Sequence, residues 1–138
     1  MQTNPKFEPA SLKKVASGGE QTRIFLSIQI VAAKTTQLPS LILDEADVGV
    51  GGTTADTIGR LLLDLGANTQ VICITHAPQV AAIGQSHMRV VKEDSEATIE
   101  NLDYDMRVEE LARMLAGSGI TEKTRDYANT LLKEASRK

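Results

Sequence analysis

The sequence predicts an α/β fold with a parallel sheet flanked by helices. Three observations carry this. Two short apolar runs, Leu41-Ile42-Leu43 and Val71-Ile72-Cys73-Ile74, end abruptly in polar residues, the pattern of strands buried in a parallel sheet. Helical periodicity separates the two runs. Further helical stretches precede the first and follow the second, so helix and strand alternate as a parallel arrangement requires.

Residues 1–16 are polar and carry Pro5 and Pro9, which reads as an extended lead-in. Over 20–34 nearly every position favours a helix. Ile24, Phe25, Leu26, Ile28, Ile30 and Val31 leave it little polar surface, so it is expected to be buried on several sides. Pro39 and Ser40 break the chain before a buried strand over 41–43. A glycine-rich turn over 49–52 leads to Thr53 or Thr54 as a helix cap. That helix carries Ile58, Leu61, Leu62 and Leu65 at helical spacing and stops at Gly66. A second buried strand follows over 70–75, then a short helix over 78–83 with Pro78 near its first turn. Residues 88–92 and 98–102 suit two short strands, joined as a hairpin through 93–97. Helices over 107–115 and 122–136 close the chain, separated by Gly117-Ser118-Gly119.

Length and composition narrow the class. With 138 residues, one compact domain is expected. Aromatics are limited to Phe7, Phe25, Tyr104 and Tyr127, so the core must be built from Leu, Ile, Val and Ala. No apolar run is long enough to cross a bilayer, and no basic-then-apolar signal segment opens the chain. Cys73 is the single cysteine, which excludes an intrachain disulfide and points to a reducing, cytoplasmic setting. Net charge is −3 and no dense basic stripe occurs. Nucleic-acid affinity rests heavily on Lys and Arg at phosphates, so this segment is not where most DNA contact is expected.

Three patterns carry chemistry. Leu41-Ile42-Leu43 ends in Asp44-Glu45, and nucleotide hydrolysis needs Mg²⁺ held near the phosphates with a second group at the attacking water. An acid ending a buried strand is rigidly placed for the first task and its neighbour for the second. The same pair also suits a loop of exposed acids. Ser17-Gly18-Gly19-Glu20 precedes a helix whose free amides and dipole suit a terminal phosphate. In isolation it reads better as a helix cap at Ser17 with the glycines as an entry turn. His76 follows the second strand at the same sheet edge, within reach of a phosphate or a water. Metal ligation by histidine is disfavoured, because only His76 and His87 exist. Cys73, mid-strand in an apolar run, is a poor candidate nucleophile.

The order of these patterns resembles an ABC-type ATPase lobe: signature motif, Walker B strand with its acidic pair, D-loop, and switch histidine. Leu12-Lys13-Lys14-Val15-Ala16-Ser17-Gly18-Gly19-Glu20, Asp44-Glu45-Ala46-Asp47-Val48-Gly49-Val50-Gly51-Gly52 and Ile74-Thr75-His76-Ala77-Pro78-Gln79-Val80-Ala81-Ala82 are similar to the RecN family of SMC-like ATPases. The stretch from Arg107 to Leu115, continuing through Gly119-Ile120-Thr121, resembles the tail of the same family. After the signature, Gln21-Thr22-Arg23 departs from the family's usual apolar residue and Ser, although Thr22 keeps a hydroxyl.

The resemblance implies that the whole chain, residues 1–138, is the C-terminal part of an ABC-type ATPase head of the P-loop NTPase fold. It lacks a Walker A lobe, since no G-x-x-x-x-G-K-[ST] loop occurs. It implies ATP and Mg²⁺ as cofactors, with Asp44 for Mg²⁺ through water, Glu45 for the attacking water and His76 for the γ-phosphate. Ser17, Gly18, Gly19 and Glu20 would close over the ATP of an opposing protomer, and Asp47, in the D-loop, would lie between the two sites. The implied partners are an N-terminal Walker A lobe of the same polypeptide, a second copy of the head, and DNA through the complete molecule. The implied role is recombinational repair of DNA double-strand breaks in the bacterial cytoplasm, at the nucleoid when acting. Two other readings stay open: a head segment of another SMC-like or ABC ATPase, and a non-catalytic dimerisation module. By itself the segment is expected to be inactive and, with open sheet edges, marginally stable or self-associating.

Overall fold

The computed structural model describes residues 18–36, 38–44, 47, 52–94, 96–117 and 119–136. The lead-in, Ser17, Glu45, Ser118 and most of the glycine-rich turn lie outside the described residues.

Helix α1 (Gly18–Thr36) starts earlier than predicted, so Gly18 and Gly19 belong to its first turn, with Glu20 as the acid at its positive end. Its burial also differs from expectation. Leu26, Ile30 and Ala33 form one buried stripe, whereas Phe25, Ile28 and Val31 stay about 60% exposed, at 62, 61 and 63%. Among the described residues α1 finds packing partners along that single stripe, chiefly from β1 (Ser40–Asp44) and α2 (Thr53–Leu65).

Strand β1 pairs in parallel with β2 (Gln70–Ile74), and α2 makes the crossover between them. The period of two along a strand sorts their side chains. Leu41, Leu43, Val71 and Cys73 face a core made with Leu26, Ile30, Ala55, Ile58, Leu62 and Val80. Ile42 and Ile74 point the other way and are 65% and 50% exposed. The expected strands are present and parallel, but among the described residues this sheet is covered on one face only.

Helix α2 is capped at neither Thr53 nor Thr54. Gly52 holds the N-cap position with φ of 56°, a left-handed value that favours glycine, and among the described residues no side-chain bond caps the helix. The C-cap is Gly66, as predicted. Helix α3 (Pro78–Ile83) divides its side chains between two cores: Val80 joins the first, while Ala81 and Ala82 join a second with Leu111, Ala112, Ala128 and Leu132. Those four belong to α4 (Tyr104–Ala116) and α5 (Glu122–Ala135).

Strands β3 (Met88–Glu93) and β4 (Glu96–Asn101) form the predicted antiparallel hairpin, with a tighter connection than expected. Asp94 takes φ of 50°, which an aspartate tolerates, and the strands therefore run into the predicted loop. Helix α4 also starts earlier than predicted, because Asp103 caps it by accepting from the Met106 amide at 2.9 Å. Thr121 and Thr124 close a capping box at the start of α5.

Candidate active site

The parallel pair brings two strand ends to one edge of the sheet. Asp44 is the last residue of β1 and stands opposite Ile74, the last of β2. Its carboxylate is exposed, and among the described residues no hydrogen bond or ion pair engages it. Thr75, His76 and Ala77 continue from β2 into the N-terminus of α3, so His76 emerges at the same edge with an exposed side chain.

Between the two strand ends sits Asp47, only 8% exposed. Its Oδ2 accepts from the Thr75 hydroxyl at 2.7 Å, the His76 amide at 3.1 Å and the Ala77 amide at 2.8 Å. The Ala77 amide also reaches the Thr75 hydroxyl oxygen at 2.9 Å, closing a small ring of bonds. Asp47 Oδ1 is buried and has no partner among the described residues. An ionised carboxylate is acceptor-only, and bonds to it are about twice as strong as neutral ones. One oxygen therefore gathers three consecutive residues of the β2 exit and fixes their backbone, leaving the imidazole of His76 outside.

The surroundings separate reactive from inert groups. Burial, and secondarily the negative charge of Asp47, push the Cys73 thiol up to about 11. It stays protonated at neutral pH, consistent with a structural cysteine. Burial and then the charge of Arg107 push His87 below its ordinary value, and this residue lies in the hairpin–α4 region, away from the sheet edge. An open cleft of about 580 Å³ between β3, α4 and α5 mixes Arg89 and Arg125 with Asp105, Glu109 and Asp126, and none of the predicted site residues lines it. Among the described residues no cluster of three or more His, Cys, Asp or Glu could hold a metal. None of their helices is long and apolar enough to cross a membrane.

Asp44, Asp47 and His76 thus share one sheet edge, whereas Gly18, Gly19 and Glu20 form the first turn of α1. What residue-by-residue reading missed is the part played by Thr75 and Ala77. The available signal was a threonine two residues before the cap of a proline-led helix, a spacing at which its hydroxyl reaches the cap amide.

No protein-family model matches the chain. Over 134 residues, 94% of its length, it is 47% identical to the DNA repair protein RecN of Vibrio cholerae. The chain is RecN-like. It is also 43% identical over 136 residues to RecN of Xylella fastidiosa and 39% identical over 137 residues to RecN of Bacillus subtilis, 96% of the chain in each case. The RecN-like chain spans about a quarter of the length of these relatives, 24% of each. A solved structure from work on the structural biochemistry of ATP-driven dimerization and DNA-stimulated activation of SMC ATPases matches with a TM-score of 0.67. That match covers 77% of this chain and 66% of the other at 19% identity, a likeness of fold. The fold of the RecN-like chain is a partial ABC-type ATPase head, a small parallel sheet with flanking helices.

Proposed function

We propose that this chain supplies the signature motif, Walker B strand and switch histidine of an ATP-hydrolysing head in a RecN-like protein that repairs DNA double-strand breaks by recombination. The observation that carries this reading is the shared edge of β1 and β2, where the exposed carboxylate of Asp44 and the exposed imidazole of His76 emerge together. Mg²⁺ is a hard cation that keeps several waters and takes one or two carboxylates beside phosphate oxygens. A single exposed Asp at a rigid strand end fits that demand.

In this reading Asp44 would hold Mg²⁺ through water, Glu45 would orient or deprotonate the attacking water, and His76 would donate toward the γ-phosphate. Mg²⁺ held there would supply positive charge beside the phosphate oxygens. Ser17, Gly18, Gly19 and Glu20 serve the nucleotide of an opposing head, where the first-turn amides of α1 suit a phosphate. No Lys-bearing phosphate loop occurs in the chain, so the γ-phosphate must be cradled by a Walker A lobe of the longer polypeptide. Among the described residues, Ile42 and Ile74 on the outer face of the sheet and the apolar stripe of α1 are exposed, which supports a covering lobe of that kind. DNA contact belongs to the complete molecule acting at the bacterial nucleoid.

The test is ATP turnover by the full-length RecN-like polypeptide with and without Glu45→Gln. Turnover that Glu45→Gln abolishes, with ATP-bound dimers accumulating, is the expected result. Turnover indifferent to Glu45 would sink the composite-site reading and leave a pairing module.

A further inference from the structure

We propose that Asp47 is a positioning residue, acting within its own chain, that sets where His76 stands. The inference rests on the ATPase reading of His76 and adds a residue through which that histidine is held.

A residue between two ATP sites is expected to keep its carboxylate available to the opposing protomer. Asp47 instead has Oδ2 engaged three times by Thr75, His76 and Ala77 of the same chain, and its side chain is buried. Two of those donors are backbone amides flanking the His76 α-carbon, so their bonds fix the direction in which the imidazole leaves the backbone. The third is the Thr75 hydroxyl, which itself accepts from the Ala77 amide and so holds the turn against rotation. The carboxylate follows β1 by only a short span, and the atoms it grips follow β2. It therefore ties the strand that ends in Asp44 to the segment that presents His76, and a shift of one must move the other. Oδ1 is buried without a partner among the described residues. Burial of an incompletely bonded carboxylate opposes stability, so the arrangement is better explained by placement of the β2 exit than by stabilisation of the fold.

The experiment is a double-mutant cycle in the full-length polypeptide: Asp47→Ala, His76→Ala and the double variant, each read as kcat and KM for ATP. Asp47→Ala is expected to lower kcat roughly a hundredfold, the scale that a misplacement of about 1 Å produces. KM should stay within about twofold, because positioning of a group that acts in the transition state leaves ground-state binding alone. In the His76→Ala background, Asp47→Ala should cause no further loss of kcat. Asp47→Asn keeps one acceptor oxygen for the same donors and should recover much of the lost rate. If Asp47→Ala does not fold, Thr75→Val removes one donor of the ring and should give a smaller loss that also vanishes in the His76→Ala background. A multiplicative loss in the double variant, or an unchanged kcat in Asp47→Ala, overturns the proposal while the ATPase reading stands. An unchanged kcat in His76→Ala overturns the ATPase role of the histidine and the proposal with it.

Discussion

Arg107 closes the C-terminus of α3 from a neighbouring helix: its Nη2 donates to the Gly84 carbonyl at 2.7 Å and to Ala82 at 3.2 Å. Helix ends leave carbonyls without intrahelical partners, and α3 is too short to satisfy many of its own. The half-buried guanidinium is disfavoured by its own burial, which lowers its pKa, yet it supplies donors to both carbonyls. Arg107 thereby docks α4 onto α3, the helix that touches both cores.

Arg107→Met, which preserves most of the side-chain volume, is expected to destabilise the chain by about 1–3 kcal/mol, the cost of leaving buried carbonyls unpaired. Denaturant unfolding midpoints check this. A loss confined to a few tenths of a kcal/mol would mean that water satisfies both carbonyls.

Glu110 should give the stability an acid-sensitive branch. It is 5% exposed and bonds Arg113 at 3.0 Å through Nε and Arg89 at 3.3 Å. Burial alone would raise its pKa, but bonds and charge from Arg113 and Arg89 outweigh that and hold it below the ordinary value of 4.5. A carboxyl depressed in the folded state contributes stability above its unfolded pKa and loses it as pH falls through the folded value. Stability should therefore drop as pH passes below about 4.5. Glu110→Gln is expected to cost about 1–2 kcal/mol at neutral pH, discounted because both arginines are partly exposed. The difference from wild type should shrink toward zero in acid. An acid branch as steep in Glu110→Gln as in wild type would assign it to other carboxyls.

Much of this architecture was legible because it rests on local rules. Leu41-Ile42-Leu43 and Val71 to Ile74 read as parallel strands because apolar runs with polar exits have few other solutions. Gly66 was readable as a stop. Other features depend on atoms distant in sequence. Phe25, Ile28 and Val31 look like core residues, and their exposure among the described residues depends on tertiary partners, a fact no helical period encodes. Asp103 was readable in principle as a cap, but the following Tyr104-Asp105 lacks an apolar periodic residue and hides the helix start. The placement of Asp44 and His76 at one sheet edge was legible from the strand ends that precede them. The bonding of Asp47 to residues 28 to 30 positions later was not, because only the tertiary fold brings them together.

Gly59 separates two effects of opposite sign. A Cβ there would lie 2.7 Å from Ile83 Cδ1 and 3.4 Å from the Val80 Cα, so α2 and α3 approach closely at this glycine. Alanine gains about 0.5–1 kcal/mol of helix stability over glycine, and the nearer contact is the tip of a side chain that can turn. Gly59→Ala should therefore change stability by less than about 1 kcal/mol. Gly59→Leu must displace α3 itself and should cost about 1–3 kcal/mol, the usual range for overpacking. Equal effects of Ala and Leu would mean that the helices are not held at this distance.

Cys73 provides a probe of the intact sheet. With its thiol pushed up to about 11 and its side chain turned toward the first core, it carries very little thiolate at pH 8. Alkylation by iodoacetamide should be slow in the folded chain and rise at least tenfold on unfolding, because the thiolate is the reactive form. Fast labelling without denaturant would show that the β2 side of the core opens readily.

The exposed apolar faces predict how the chain behaves alone. Phe25, Ile28 and Val31 recur at helical spacing along one side of α1, and Ile42 and Ile74 lie on the open face of the sheet. Apolar area buried on association contributes roughly 25 cal/mol per Å² before the cost of association is set against it. Sedimentation of the chain should accordingly show concentration-dependent self-association. Phe25→Lys with Ile28→Lys should reduce it while shifting the unfolding midpoint little, since exposed substitutions usually change stability by no more than about 0.5 kcal/mol. A chain that sediments as a monomer at high concentration, with a sharp unfolding transition, would remove these faces as docking surfaces. Association that survives both lysines would move the contact to the sheet face, where Ile42→Lys becomes the deciding variant.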